Sequence, residues 1–291
     1  MKIAYITYNG ALKYLSANGF NENEDLLPFL QNKGLDICAE IWDDPLVDWK
    51  KYDIALLKTP WDYHQKFDQF KLWLEKIESL NVKLMNDYHT VRWNMDKHYL
   101  LEIAAAGFKI ITSIFLERGW KEELEPLFDK LASELIILKP CVSGGSKNTI
   151  VLNRSNALAD KETVLNLVAI EDFIVQPLMS QITEGEWSFI FFNGKYSHAI
   201  IKKPKSGDFR VQQTFGGTIQ AAMPDRLYIE KSERYIARFG SDTLYARVDG
   251  LIIEGVFVLM ELEFVEPFLY LSYHPDALEN YYGALKERIG Q

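Results

Sequence analysis

Glu261 and Glu263 stand two apart in an apolar run, with Val258, Leu259, Met260, Leu262 and Phe264 around them. Side chains alternate faces along a strand, so both carboxylates project to one side. Two such groups among apolar neighbours repel, and burying them without compensation is costly. A divalent cation removes that cost. Mg²⁺ suits the arrangement, because it takes one or two carboxylates, keeps waters and fills its shell with phosphate oxygens. The competing explanation is the solvent-facing edge of an antiparallel sheet, where charges alternate harmlessly. Arg247-Val248-Asp249 on the preceding strand favours the cation, since a hairpin would bring Asp249 beside the pair.

A second candidate is Ser143-Gly144-Gly145-Ser146-Lys147-Asn148-Thr149, directly after a strand. Glycines let backbone N–H groups approach phosphate oxygens, and hydroxyls add donors. The order Gly-Lys-Ser/Thr of a P-loop is absent, as is G-x-G-x-x-G, which disfavours a dinucleotide fold. The same stretch also reads as an ordinary hairpin turn. Lys139 ends the strand ahead of it, and Lys97 opens a helix; each alone reads equally as a solvated lysine. Arg210 lies in Gly207-Asp208-Phe209-Arg210, and Glu184-Gly185-Glu186 leads into a strand, as a carboxylate source for ribose hydroxyls or a polar turn. The loop Lys58 to His64 follows a strand, where ligands bind in open α/β sheets, although an amphipathic surface loop fits as well.

The elements that position these residues follow from periodicity. Ile3–Thr7, Asp36–Trp42 and Ile54–Leu57 read as strands, and Phe67, Phe70, Leu74 and Ile77 as the apolar stripe of a helix. That alternation implies a largely parallel sheet. Asn94–Ala106 reads as one helix closed by Gly107. Strands are expected at Leu135–Lys139, Thr149–Leu152 and Phe173–Gln176. Asn193-Gly194 joins Glu186–Phe192 to Lys195–Lys202 in the clearest hairpin signal of the chain. A helix over Pro224–Phe239, strands Tyr245–Ile253 and Val256–Val265 meeting at Glu254-Gly255, and a helix over Asp276–Ile289 complete the chain.

Composition narrows the classes. The 291 residues suffice for one large or two to three small domains. A net charge of -9 argues against a nucleic-acid partner, which needs clustered Lys and Arg, but admits a nucleotide. No apolar run approaches the roughly 18 to 20 residues that span a bilayer, and the N-terminus lacks a signal peptide. Cys38 and Cys141 have no ligand-like spacing and are expected as buried free thiols in a cytoplasmic protein.

In order and spacing these residues resemble the ATP-grasp superfamily, in its glutathione-synthetase-like branch, over nearly the whole chain. The likeness within the branch is to the cycloserine-biosynthesis type, an O-ureidoserine cyclo-ligase. It is carried by Val47-Asp48-Trp49, Trp61-Asp62-Tyr63-His64, Arg92 to Leu100, Gly207-Asp208-Phe209-Arg210 and Met260 to Pro267. The resemblance implies an α/β and α+β protein with the ATP-grasp fold. An N-terminal parallel α/β domain (1–93) would precede two α+β subdomains (94–180 and 181–291) that sandwich ATP. It implies that Lys97 and Lys139 contact ATP phosphates, with Ser143, Gly144, Gly145 and Ser146 folding over them. Gln176, Pro177, Leu178 and Met179 resemble the adenine-binding linker, and Glu184, or Glu186, would hold the ribose. Arg210 matches the arginine that stabilises the transferring phosphoryl group. Asp249, Glu261 and Glu263 match ligands of Mg²⁺, with Mn²⁺ as a substitute. The branch usually has Asn where Glu263 stands, a change that adds charge without removing a ligand. The substrate would sit near Trp61, Asp62, His64 and Arg210.

The expected reaction is ATP-dependent activation of a carboxylate as an acyl phosphate, followed by attack of an amine to form an amide or close a ring. The partner is a small amino-acid-like molecule, with no membrane or nucleic acid involved and a homo-oligomer open. Two alternatives remain: an amino-acid or peptide ligase of the glutathione-synthetase or glutamate-ligase type, and a nucleotide-binding protein that has lost catalysis.

Overall fold

A computed structural model describes residues 1–10, 22–145, 147–211 and 215–290. Three sheets organise them. The first is parallel, in the order β2-β1-β3-β4, built from β1 (Lys2–Thr7), β2 (Asp36–Ile41), β3 (Ile54–Leu57) and β4 (Lys83–Met85). The central strands are apolar on both faces because both are covered. Ile3, Tyr5, Ile54 and Leu56 pack with α1 (Glu22–Asn32) and the last helix, α8 (Ala277–Ile289). Ala4, Ile6, Ala55 and Leu57 face α2 (Phe67–Ser79) through Phe70, Leu74 and Ile77.

The second sheet is antiparallel, in the order β5-β8-β6-β7, comprising β5 (Ile114–Leu116), β6 (Leu135–Pro140), β7 (Ile150–Asn153) and β8 (Phe173–Pro177). Helices α5 (Glu125–Leu131) and α6 (Ala157–Val168) cover one face through Leu127, Phe128 and Val164. The third sheet runs β11-β10-β9-β12-β13, with β9 (Glu186–Phe192), β10 (Lys195–Lys203), β11 (Thr218–Ala222), β12 (Tyr245–Ile253) and β13 (Val256–Glu263). Asn193 and Gly194 both have positive φ, 48° and 73°, as a two-residue type I′ turn demands. Glu254 and Gly255 repeat that conformation at 50° and 74°. One face of this sheet packs on α7 (Arg226–Phe239) through Phe189, Phe191, Val248, Leu262, Tyr235 and Ile236.

The helix expected over Asn94–Ala106 is shorter, α4 (Tyr99–Ala105), and is separated by a break from α3 (Tyr88–Asn94), which ends where that helix is expected to begin. The break has a physical cause. Asn94 donates from Nδ2 to the Leu262 carbonyl at 2.9 Å and accepts from the Phe264 N–H at 2.7 Å, so its amide serves β13. Asp96 then accepts from the His98 N–H at 3.0 Å, a local bond that competes with helix continuation. The Lys97 N–H turns to the Cys141 carbonyl at 3.0 Å. Cys141 is buried, but Cys38 is half-buried, 3.2 Å from the Tyr52 hydroxyl. Among the described residues no helix is long and apolar enough to cross a membrane.

Candidate active site

The three sheets meet around a cavity of about 460 Å³, within the usual range for small-ligand sites. Its floor is the face of the third sheet turned away from α7. The register sets Asp249 directly opposite Glu261, and Arg247 opposite Glu263. Beside them on β9 and β10 stand Ser188 and the cross-strand pair Glu186 and Lys202. A bulge after Asp249 leaves Gly250 paired with Leu259, so Met260 has no partner. Met260 and Glu261 consequently both line the cavity, while Leu259 and Leu262 share the opposite core. Gly250 makes the bulge fit: a Cβ there would lie 2.5 Å from the Val258 carbonyl oxygen.

Each floor carboxylate is held by a cation. Arg247 forks onto Asp249, with Nη2 2.9 Å from Oδ2, and also bonds Glu263. Ser188 donates to Asp249 at 2.6 Å, and Lys202 bonds both Glu186 and Asp249. Lys97 lies 3.0 Å from Glu261. Against burial, which alone would raise it, Arg247 and Lys202 hold the Asp249 carboxyl down to about 2. Glu261 is likewise lowered, burial being outweighed by Lys97 and Lys139. For Glu263 burial wins over Arg247 and pushes the carboxyl up to about 7. Lys97 stays raised despite burial because Glu261 faces it.

Three hard oxygen donors on one wall fit Mg²⁺ in chemistry. Among the described residues, the His, Cys and acidic groups already drawn within 4.8 Å of one another lie elsewhere, at Asp96, His98 and Cys141 and at His98, Glu117 and Asp172. Asp249, Glu261 and Glu263 are instead engaged by Arg247, Lys202 and Lys97, which would yield them to a metal.

The second sheet supplies the opposite wall. Lys139, Ser143, Gly144, Gly145 and the Gln176-Pro177-Leu178-Met179 segment all line the cavity. The Lys139 ammonium has no hydrogen bond or ion pair among the described residues, and burial lowers its pKa, opposed by Glu261 and assisted by Lys97. Ser143 donates to the Pro140 carbonyl at 3.0 Å, anchoring the glycine-rich loop. A Cβ on Gly144 would lie 3.2 Å from His64 Nδ1, so this loop rests on the segment that follows β3. Ser146 lies outside the described residues. Met179 and Met260 join Ile111, Ile182, Val211 and Leu251 in an apolar slot along the cavity.

Trp61 and His64 line the third side. Burial, with Lys147 nearby, lowers the His64 pKa. Asp62 is not at the cavity: its carboxylate accepts from the Trp42 indole at 2.8 Å and from Lys66 at 2.7 Å, tying down the loop. Glu184 is exposed and away from the lining, whereas Glu186 is buried within it. Arg210 reaches the lining, with its guanidinium forked onto Asp208 and 3.8 Å from the Phe215 ring centroid. Sequence reasoning gave no role to Arg247, Lys202 or Glu266, all of which line the cavity. The Asn-Gly hairpin register could have found Lys202 opposite Glu186, and strand alternation could have placed Arg247 beside Asp249.

Comparison with known proteins agrees with this architecture. Residues 106–265 match the family described as prokaryotic glutathione synthetase, ATP-grasp domain, and residues 3–86 match the D-cycloserine synthetase DcsG N-terminal domain. The cycloserine biosynthesis protein DcsG of Streptomyces lavendulae is 27% identical over 282 residues, covering 91% of this chain and 94% of its own. A glutathione synthetase of Prochlorococcus marinus is 27% identical over 184 residues, 55% of this chain and 57% of its own. The crystal structure of D-cycloserine synthetase DcsG superposes with a TM-score of 0.84 at 26% identity, covering 99% of this chain and 100% of that one. A D-alanine–D-alanine ligase from Bacillus anthracis shares the fold, with a TM-score of 0.71 at 16% identity over 100% and 99% of the two chains. The chain belongs to the prokaryotic glutathione-synthetase ATP-grasp family and is an ATP-dependent carboxylate–amine ligase.

Proposed function

We propose that this ligase activates the carboxylate of a small amino-acid-like substrate as an acyl phosphate, using ATP and Mg²⁺, and that an amine of the same molecule then closes a ring. The observation that carries the reading is one cavity lined by Asp249 and Glu261, by Lys97 in contact with Glu261, and by Lys139, whose ammonium has no partner among the described residues. Cations and carboxylates on the lining balance: Lys97, Lys139, Lys202, Arg210 and Arg247 against Glu186, Asp249, Glu261, Glu263 and Glu266. A polyanionic triphosphate entering a balanced cavity needs divalent cations to accompany it. Bound Mg²⁺ would draw negative charge off the transferring phosphoryl group.

The chain's own residues do the rest. Asp249, Glu261 and Glu263 would hold the metal, and Lys97, released from Glu261, would turn with Lys139 to the phosphates. The apolar slot beside Gln176 to Met179 suits a planar base, and Glu186 is the carboxylate within reach of a ribose. Arg210 and Arg247 provide fixed charge where the phosphoryl oxygens and acyl oxygen become more negative. The loop of Ser143 to Gly145, resting on His64, would keep water from the acyl phosphate. A substrate carboxylate oxygen takes the γ-phosphoryl group of ATP, and ADP departs; the amine nitrogen then bonds the acyl carbon, and inorganic phosphate departs with the nitrogen's proton released. Residues 1–93, 94–180 and 181–291 are read as the three working units, acting in the cytoplasm where ATP is held.

Ring closure, as against joining two molecules, is supported by the 27% likeness to the cycloserine biosynthesis protein over nearly the full length of both chains. The test offers the protein ATP, Mg²⁺ and a panel of D- and L-amino acids with O-linked nitrogen substituents, singly and in pairs, while phosphate release is followed. Turnover on a single substrate supports ring closure, and turnover only on pairs rules it out. ATP binding with no turnover on any carboxylate rules out both ligase forms.

A further inference from the structure

Four of the five carboxylates on the cavity lining have a cation partner: Glu186 with Lys202, Asp249 with Arg247 and Lys202, Glu261 with Lys97, Glu263 with Arg247. The fifth, Glu266, has no hydrogen bond or ion pair to its carboxyl among the described residues, though it is half-buried and faces the same space. Its backbone is fixed on both sides. The Tyr245 hydroxyl donates to the Val265 carbonyl at 3.0 Å, the Trp61 indole N–H to the Glu266 carbonyl at 3.1 Å, and Lys58 to the Pro267 carbonyl at 3.3 Å. Lys58 is itself locked to Glu22 at 2.7 Å. Trp61, bonded to the Glu266 carbonyl, and Phe268, two residues further along the chain, line the cavity with it, their ring centroids 6.4 Å apart. Such a setting, a carboxylate on a fixed backbone beside two aromatic rings, is suited to a desolvated ammonium ion.

Resting on the ligase reading above, we propose that Glu266 seats the ammonium group of the substrate, with Trp61 and Phe268 as its aromatic walls, and thereby selects amino acids over plain carboxylic acids. Burial first, and the negative charge of Glu263 and Glu261 next, pushes the Glu266 carboxyl up to about 8, the mark of a site short of a cation. On the cavity lining, Lys139 and Glu266 are thus a cation and a carboxylate without a side-chain partner among the described residues, and they orient a ligand with its phosphate toward one and its amine toward the other. Glu266 is a specificity residue in this account, touching the ammonium group and not the bonds that change.

The test is a calorimetric titration of the whole protein, loaded with Mg²⁺ and a non-hydrolysable ATP analogue, with the amino-acid panel and with the matching acids lacking the amino group. Wild type should bind at least one amino acid roughly tenfold to a hundredfold more tightly than its desamino partner. Glu266→Gln should erase that preference while keeping affinity for the ATP analogue, and Glu266→Asp should restore part of it. A preference that survives in Glu266→Gln overturns the inference, as does a wild type that binds no amino acid better than its desamino analogue. Phosphate release with true ATP judges the ligase reading separately. Glu266-dependent amine binding without phosphate release would sink that reading and leave this one standing. Phosphate release indifferent to Glu266 would do the reverse.

Discussion

Lys97 Nζ lies 3.0 Å from Glu261 Oε1, joining the break between α3 and α4 to β13. In the proposed cycle this bridge opens as Glu261 turns to a metal and Lys97 to phosphate. Glu261→Gln should lower kcat/KM for ATP by about a hundredfold or more, and Lys97→Met by a similar factor. The double variant should lose less than the sum of the two losses, since the partners act together. Steady-state phosphate release across the four proteins checks this.

The buried pair of Lys58 and Glu22 is expected to govern stability. Both side chains are nearly inaccessible, and Glu22 also accepts the Leu269 N–H at 2.9 Å, fastening the segment after β13 to the first sheet. Glu22→Gln leaves a buried ammonium without its counter-charge and should cost about 3 to 5 kcal/mol. Urea denaturation would register this as a lower midpoint with little change of slope.

Much of this positioning was legible in the sequence, and the reasons are local. Asn193-Gly194 fixes its hairpin because few residues accept two successive positive φ values, and the same geometry recurs at Glu254-Gly255. Glu261 and Glu263 could be placed on one face from strand alternation. The bulge at Met260 could not, since it depends on how Gly250 packs against Val258 across the strand pair. Asn94 likewise has an ordinary helical setting in sequence, and its bonds to β13, with the Lys97 N–H turned to Cys141, break the helix. Asp62 sits in a motif that points to ligand contact, yet Trp42 and Lys66 claim its carboxylate. The role of Glu266 is not legible in the sequence, because a carboxylate without a partner is visible only once the partners of its neighbours are known.

Gly250→Ala should test the bulge. Its Cβ would meet the Val258 carbonyl and the Phe257 ring, each at 2.5 Å, with backbone as the obstacle. The expected cost is about 1 to 3 kcal/mol, together with a weakened Mg²⁺ dependence of turnover as Asp249 shifts. Thermal melts and a Mg²⁺ titration read the two effects.

His198 predicts an acid-sensitive stability. Burial pushes its pKa down to about 4, partly offset by the hydrogen bond with the Leu269 carbonyl, while the His274 ring stacks on it. The unfolded chain binds a proton at this histidine near its ordinary pKa and the folded chain does not. Stability therefore falls as pH drops from about 6.5 to about 4, by at most about 3 kcal/mol. His198→Asn should flatten that part of the profile, measured as the unfolding midpoint between pH 7 and pH 4.5.

The central claim is that a carboxylate oxygen is phosphorylated before the amine attacks. A substrate labelled with ¹⁸O in its carboxylate, turned over with ATP and Mg²⁺, puts it to the most direct test. Mass analysis of the released phosphate should find one ¹⁸O transferred from the carboxylate. Unlabelled phosphate from a productive turnover would contradict the account.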